Sequence, residues 1–403
     1  MDPLDIVSNL DKVKPVYQPI VSAIKHSVVG YELYGRYYHN GEWVSLGPFF
    51  RDQDVPEEFK VEVDQHLLHI AVTEILETNT DGLLFINRTV KELLYNNGED
   101  LLQALKKFEK KGFMMERVVV EIMEEDFDYD FENINHLILY YKTYGIQIAV
   151  DHVGAKSSNL DRIRQLEPHI LKIDTRLIGN LRAEGFQDVM YSLAMLAHRI
   201  GAALLFENIE EDFHLYFAWK HGSRYYQGFY LAKPLDYPSR KALGVDVNTK
   251  VMEYIQQEKD LVKKRLDLVF EWEKRLTNVI TQWQGPQLVD EFIQIVTSYF
   301  KDESFRVYIC DSDGQQVSSN FRKIEHNWLV QADQKGSNWA FRPYFLENMM
   351  QMRATGKGIL SDVYSDIETR ELTRTFSFPL SESYFLFIDL GYAYLFEHDC
   401  LLI

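Results

Sequence analysis

"RVVVEIMEEDFDYDFENINHLILYYKTYGIQIAVD", residues 117–151, contains one full turn of the pattern that sets the fold. At its ends, RVVVEI (117–122) and IQIAVD (146–151) are short, mostly apolar runs, each carrying a carboxylate at or near its close. Unbroken apolarity over so few residues is how a strand buried on both faces reads. Between them Ile134, Leu137, Ile138 and Tyr141 recur at helical spacing, and Gly145 stands where a helix stops. A buried strand, an amphipathic helix and another buried strand imply a mostly parallel sheet.

The pattern repeats in both directions. VYQPI (16–20), VVGYEL (28–33), GLLFIN (82–87), ILKID (170–174), AALLFE (202–207) and YYQGFYLA (225–232) are further runs of the same kind. Eight strand candidates in about 240 residues predict an α/β fold of the TIM-type (β/α)8 barrel over residues 1–245. The pattern changes at residues 246–286. From Val247 to Trp283 there is no Gly or Pro, and Ile255, Val262, Val269, Leu276 and Trp283 recur every seventh residue, with Val251, Leu266 and Ile280 filling the stripe. One long helix is expected, about 55 Å at 1.5 Å per residue. Such a stripe packs on its own chain or pairs with a second helix. A homodimer carried by this helix or by the barrel is the expectation, with burial against the protein's own barrel as the alternative. Residues 287–403 read as a helix followed by FRVYICD, a turn at SDG, then RTFSFPL and SYFLFIDL. Neighbouring strands with turn signals suggest a smaller α+β domain of sensor size.

The formal net charge of -18 disfavours nucleic acid polymers and anionic membrane surfaces as partners, because phosphate binding needs clustered Lys and Arg. A small anion is still accommodated where a few cations converge. The two cysteines, Cys310 and Cys400, do not form a disulfide framework. The start, MDPLDIVSNLDKV, has acids where a secretory leader has basic residues. No run approaches the about 18 apolar residues of a membrane helix. A cytoplasmic protein without membrane insertion is expected.

The strand ends carry Glu32, Asn87, Glu121, Asp151, Asp174, Glu207 and Gln227. Any one of these alone is an ordinary solvated strand end. Gathered on one barrel rim they need counter-charge, and a divalent cation with oxygen ligands, Mg2+, Mn2+ or Ca2+, supplies it most simply. Lys172 precedes Asp174 by two residues, so both point to the same face.

At these residues the chain resembles the EAL-domain cyclic di-GMP phosphodiesterases, over about residues 10–240. YQPIVSA resembles the family's opening strand, and GYELYGR stands at its Glu-Ala-Leu-x-Arg. FINRT carries its asparagine, VVVEIMEE its Glu-x-x-Glu and LKID its Lys-x-Asp. FENIE matches Glu-Gly-Val-Glu, and YYQGFYLAKP the closing Gln-Gly and Pro. A long helix and a PAS- or Cache-like domain after the barrel resemble the YkuI-like subgroup. The resemblance implies that Glu32, Asn87, Glu121 and Asp151 hold the first metal, that Lys172 orients the attacking water, and that Glu207 is the general base. It implies that Asp174 supports the metal shell, Glu210 anchors the loop after Asp151, and Arg36 contacts a phosphate. Gln18, Leu33 and Gln227 belong with Glu32, Asp151, Lys172 and Glu207 in the ligand-binding set. The chemistry would be phosphodiester hydrolysis between two ions, giving linear pGpG.

The chain departs from the family at several points. His152 stands where the family has a second aspartate that holds the second ion. Lys156, Leu33-Tyr34, Asn208 and Met123 replace the expected Gly, Ala-Leu, Gly and Thr. One unit charge pair at about 4 Å and an effective dielectric of about 20 is worth about 4 kcal/mol. Losing a third of that costs the second ion about tenfold in affinity. The expectation is therefore a receptor that binds cyclic di-GMP with little or no hydrolysis; the alternative is a slow or metal-restricted phosphodiesterase. In the C-terminal region Trp339, Arg342, Tyr344, Tyr364 and Asp366 form a pattern similar to Cache-type sites for an unknown small ligand. Ordinary packing is the competing reading of the same residues.

Overall fold

The apolar runs form strands where they are expected, except that YYQGFYLA (225–232) contributes only Tyr225–Tyr226. The computed structural model describes residues 2–154, 159–176, 186–240, 243–325, 327–342 and 345–402. Two residues singled out above, Lys156 and Tyr344, lie outside the described residues. The chain divides into two units, residues 1–254 and 255–403.

The first unit contains β1 (Val13–Ser22), β2 (Val28–His39), β3 (Glu42–Ser45), β4 (Leu83–Asn87), β5 (Val118–Met123), β6 (Gln147–Asp151), β7 (Ile170–Asp174), β8 (Ala203–Glu207) and β9 (Tyr225–Tyr226). They close a ring in the order β1-β2-β4-β5-β6-β7-β8-β9, with β3 attached to β2. Neighbours from β2 round to β9 are parallel. The exception is β1, antiparallel to both β2 and β9. Loop length explains it. Only residues 23–27 separate β1 from β2, and a return to parallel pairing needs a crossover of about a dozen residues or more. The helix Phe131–Lys142 buries Ile134, Leu137, Ile138 and Tyr141, the face read from the sequence.

The barrel interior is layered by the two-residue period of its strands. Ile20, Phe85, Val119, Ala149, Ile170 and Leu205 form an apolar cluster. Two residues further along the same faces stand Asn87, Glu121, Asp151, Lys172 and Glu207. On the reversed strand β1, Gln18 holds the same level and sits opposite Glu32 of β2. An apolar plug thus supports a polar layer at the carboxyl ends of the strands.

The helix Val247–Val279 starts in the first unit and continues into the second. Near its start Val251 and Tyr254 are buried, and the Tyr254 hydroxyl donates to Asp212 Oδ1 at 2.8 Å. Near its end Trp272, Leu276 and Val279 enter the C-terminal core, while Val262 and Leu266 are exposed. The seven-residue stripe does not stay on one surface, because a straight helix drifts about 20° per heptad.

The second unit holds β10 (Ser304–Asp311), β11 (Asn320–Ile324), β12 (Asn327–Gln331), β13 (Ile359–Leu360), β14 (Tyr364–Ser365), β15 (Leu372–Thr373), β16 (Thr375–Pro379) and β17 (Tyr384–Leu390). Six of them form an antiparallel sheet in the order β12-β11-β10-β17-β16-β13. One core joins Trp272 and Leu276 to Phe292, Ile309, Phe376 and Ile388. A separate one gathers Tyr308, Phe387 and Phe345, with rings stacked at 5.2 and 4.9 Å. Cys310 and Cys400 are free and buried. Among the described residues no helix is long and apolar enough to cross a membrane.

A buried acid network braces the first unit. Arg88 Nη1 donates to Asp64 Oδ1 at 2.7 Å, and Thr89 and Glu92 close a reciprocal cap on the helix Val90–Leu94. Burial, followed by the charge of Asp64, pushes the Glu92 carboxyl from 4.5 up to about 7. A carboxyl raised on folding adds stability at low pH, and that stability is lost as pH rises through the folded value. Glu92→Gln preserves the cap and removes the ionisation. Thermal melts are expected to show the variant close to wild type at pH 5 and more stable at pH 8; a difference that does not grow with pH refutes the assignment.

Candidate functional site

Lys172, on β7, is wholly buried at the centre of the polar layer. Its Nζ lies 2.9 Å from Glu32 Oε2, 2.9 Å from Glu121 Oε1, 3.4 Å from Glu207 Oε2 and 3.8 Å from Asp151 Oδ1. Asn87 Nδ2 and Gln227 Nε2 donate to the two oxygens of Glu32 at 2.7 and 2.8 Å. Gln18 is buried at the same level, its Nε2 donating to the Ala232 carbonyl at 2.6 Å.

The charges follow from this arrangement. Burial opposes an ammonium at Lys172, but Asp151, Glu121, Glu32 and Glu207 outweigh it and hold the pKa well above the ordinary value. Burial likewise opposes ionisation of Glu32, and Lys172 with the hydrogen bonds overcomes it, drawing the pKa down to about 2. Glu121 is driven well up by burial and by its neighbour Glu32. Burial and then the charges of Asp151, Glu32 and Asp174, against the pull of Lys172, raise Glu207 to about 8. Four carboxylates around one ammonium are short of positive charge, and protons make up the deficit. A divalent cation fits this donor set, because oxygen ligands from Glu32, Asn87, Glu121 and Asp151 suit a hard ion and its charge replaces those protons.

Two residues of the rim have left-handed backbones, His152 at φ 57° and Asn208 at φ 56°. Asn208 stands at the position read as a family glycine, and asparagine tolerates this conformation better than most residues. Gly228 admits no substitute: a Cβ there would come within 2.1 Å of the Ile209 carbonyl oxygen.

The rim opens into a cavity of about 380 Å3 whose wall includes Glu32, Leu33, Asn87, Glu121, Asp151, His152 and Glu207. Arg36 is half-buried four residues beyond Glu32 and donates to the Gly35 carbonyl at 3.1 Å. Glu210 is exposed, and its backbone N–H donates to His214 Nδ1 at 3.3 Å. Asp174 is engaged by Arg176. The cavity also exposes residues that the sequence reading passed over: Phe50, Arg51, Asp64, Arg88, Glu92, Asp126 and Arg176. Only Thr89-x-x-Glu92 had a sequence signal, as a capping box.

Arg342 lies 4.5 Å over the Trp339 ring, and Trp339 Nε1 donates to Gln316 Oε1 at 2.9 Å. The Tyr364 hydroxyl pairs with Thr375 Oγ1 at 2.7 Å. Asp366 pairs with the buried guanidinium of Arg306, which also binds Asp389 at 2.6 Å.

Comparison with known proteins gives a consistent result. The family model for the EAL domain matches residues 5–234, and that for the EAL-domain associated signalling protein domain matches residues 239–402. The chain is 44% identical to the uncharacterized EAL-domain containing protein YkuI of Bacillus subtilis (strain 168), covering 100% of both. The crystal structure of Bacillus subtilis YkuI in complex with substrate c-di-GMP and calcium matches with a TM-score of 0.93 at 43% identity, covering 100% of each chain. The probable cyclic di-GMP phosphodiesterase PdeB of Escherichia coli (strain K12) is 24% identical over 57% of this chain and 44% of its own.

Removing the central ammonium tests how much the site depends on it. Breaking a buried ion pair by deleting one partner costs about 3–5 kcal/mol. Lys172→Met is expected to lose that much stability in urea unfolding at pH 7 in chelator, and to recover part of it when Ca2+ or Mg2+ is added. An unchanged midpoint in chelator contradicts the role given to Lys172.

Proposed function

This chain belongs to the EAL-domain family, and we propose that it binds cyclic di-GMP together with a divalent cation at the barrel rim and hydrolyses it little or not at all. The observation that carries this reading is the rim itself: Lys172 among four carboxylates, with His152 where the family has its second aspartate. The full-length similarity to a Bacillus subtilis protein solved with c-di-GMP and calcium supports the ligand and the class of ion. When bound, the ion supplies charge to the phosphodiester and acidifies water. Arg36 and Lys172 supply the protein's own cations to a dianionic ligand. Glu207 stands as the general base and Lys172 as the group that orients water, and their retention favours a second reading, a slow or metal-restricted phosphodiesterase yielding linear pGpG. In either case residues 287–403 act as a sensor domain, linked to the barrel, residues 1–245, by the continuous helix between them.

Isothermal titration in Ca2+ is expected to give saturable cyclic di-GMP binding. Arg36→Ala removes a charged hydrogen bond worth about 1.5–3 kcal/mol, tenfold or more in Kd. Turnover in Mg2+ is expected to be barely measurable. Equal binding by wild type and variant sinks the site assignment, and brisk turnover in Mg2+ sinks the receptor reading.

A homodimer is part of the proposal. Val262, Leu266 and Phe270 are exposed four residues apart on the long helix, so they share one face. Light scattering is expected to give twice the 47.4 kDa chain mass at micromolar concentration, and Val262→Glu with Leu266→Glu to reduce it. A mass of one chain for the wild type rules the dimer out. A dimer that survives the double variant moves the interface to the barrel.

A further inference from the structure

Beside the lysine-centred acids lies a smaller group with different chemistry. Asp151, His152 and Glu207 each bring one donor atom to a common point, all within 4.8 Å of one another. His152 Nε2 is 3.5 Å from Glu207 Oε1 and 4.0 Å from Asp151 Oδ2. Donors bonded to one ion at about 2.0–2.2 Å stand roughly 3–3.6 Å apart. A small adjustment would let the three share an ion.

Each carboxylate divides its two oxygens. Glu207 presents Oε2 to Lys172 and Oε1 to the imidazole; Asp151 presents Oδ1 to Lys172 and Oδ2 to the imidazole. Lysine and ion can therefore be served together. The backbone fixes the ring in place: His152 takes the left-handed conformation, and its N–H donates to Asp151 Oδ1 at 2.8 Å. The ring is 34% exposed, open to the cavity.

The other acid nearby does not join. Arg176 Nε donates to Asp174 Oδ1 and Oδ2 at 3.0 and 2.8 Å, and its backbone N–H donates to Oδ1 at 2.8 Å. A guanidinium that grips both oxygens already answers this charge. What remains is one nitrogen and two carboxylate oxygens.

We propose that His152, with Asp151 and Glu207, turns the family's second-ion position towards nitrogen-accepting ions of the first transition row, such as Mn2+ and Co2+, in preference to Mg2+ and Ca2+. Mg2+ demands a near-ideal octahedron of oxygens and sheds water reluctantly. Imidazole in place of a carboxylate removes negative charge, which disfavours hard ions, and adds a ligand that transition ions bind well. The inference deepens the proposed function and rests on it for the identity of the rim as the ligand site.

The test uses the full chain stripped of metal by chelator. Titration calorimetry with Mn2+ is expected to fill two positions per chain, and with Mg2+ one over the same concentration range. Co2+ is expected to give a visible absorption band that His152→Asn abolishes. Asparagine accepts the left-handed backbone, and circular dichroism melts check that the variant folds. The same variant should weaken the second Mn2+ by at least about tenfold, the lower end of what even supporting residues cost. His152→Asp should admit a second Mg2+. Equal second-ion affinity for Mg2+ and Mn2+ in the wild type, or Mn2+ and Co2+ signals untouched by His152→Asn, overturns the proposal. Absence of cyclic di-GMP binding in Ca2+ counts against the proposed function and leaves the ion preference to be judged by the titrations.

Discussion

The Lys172 ammonium is wholly buried and stays charged because Glu32, Glu121, Glu207 and Asp151 surround it within 3.8 Å. An isolated ammonium in such a place would lose its proton, and isolated carboxylates would gain one. Together they hold the barrel mouth in a state that is neither neutral nor balanced. Glu32 is fully ionised, while Glu121 and Glu207 are pushed towards their protonated forms. This deficit of positive charge makes the rim receptive to a divalent ion.

The lysine can stand there only because the layer beneath it is apolar and closed. Ile170 lies two residues before Lys172 on β7, in a plug with Phe85, Val119, Ala149 and Leu205. The plug excludes water from below, which strengthens every electrostatic contact above it. The same two-residue period fixes the direction of each side chain, so a one-residue slip of any strand would turn its carboxylate away from the cavity. The fold and the site are therefore set by one register.

The C-terminal unit answers a similar problem differently. Arg306 is buried between Asp366 and Asp389, with Thr375 Oγ1 donating to Asp389 Oδ1 at 2.6 Å. Here one guanidinium is shared by two carboxylates, with Glu368, also held by Arg322, at 3.6 Å, and the cluster braces a sheet. At the barrel rim one cation meets four acids, and the surplus is what a ligand can use.

The sequence alone determined the strand-helix alternation, the long helix, the α+β tail and the row of polar strand ends, because these depend on local periodicity. It also placed Lys172 on the same face as Asp174, since side chains two apart on a strand must agree. Tertiary structure decided everything that depends on which distant group arrives first. Asp366 went to Arg306, 60 residues away. The seven-residue stripe was legible as a pattern, but its division between two cores and an exposed stretch depended on what the rest of the chain packed against it. Asp64 and Glu92 joined the cavity wall because their helices, Glu57–Glu77 and Val90–Leu94, bring them to it. No spacing in the sequence encodes that approach: pairing between charges is settled by distance in space and by burial, and neither is a property of local sequence.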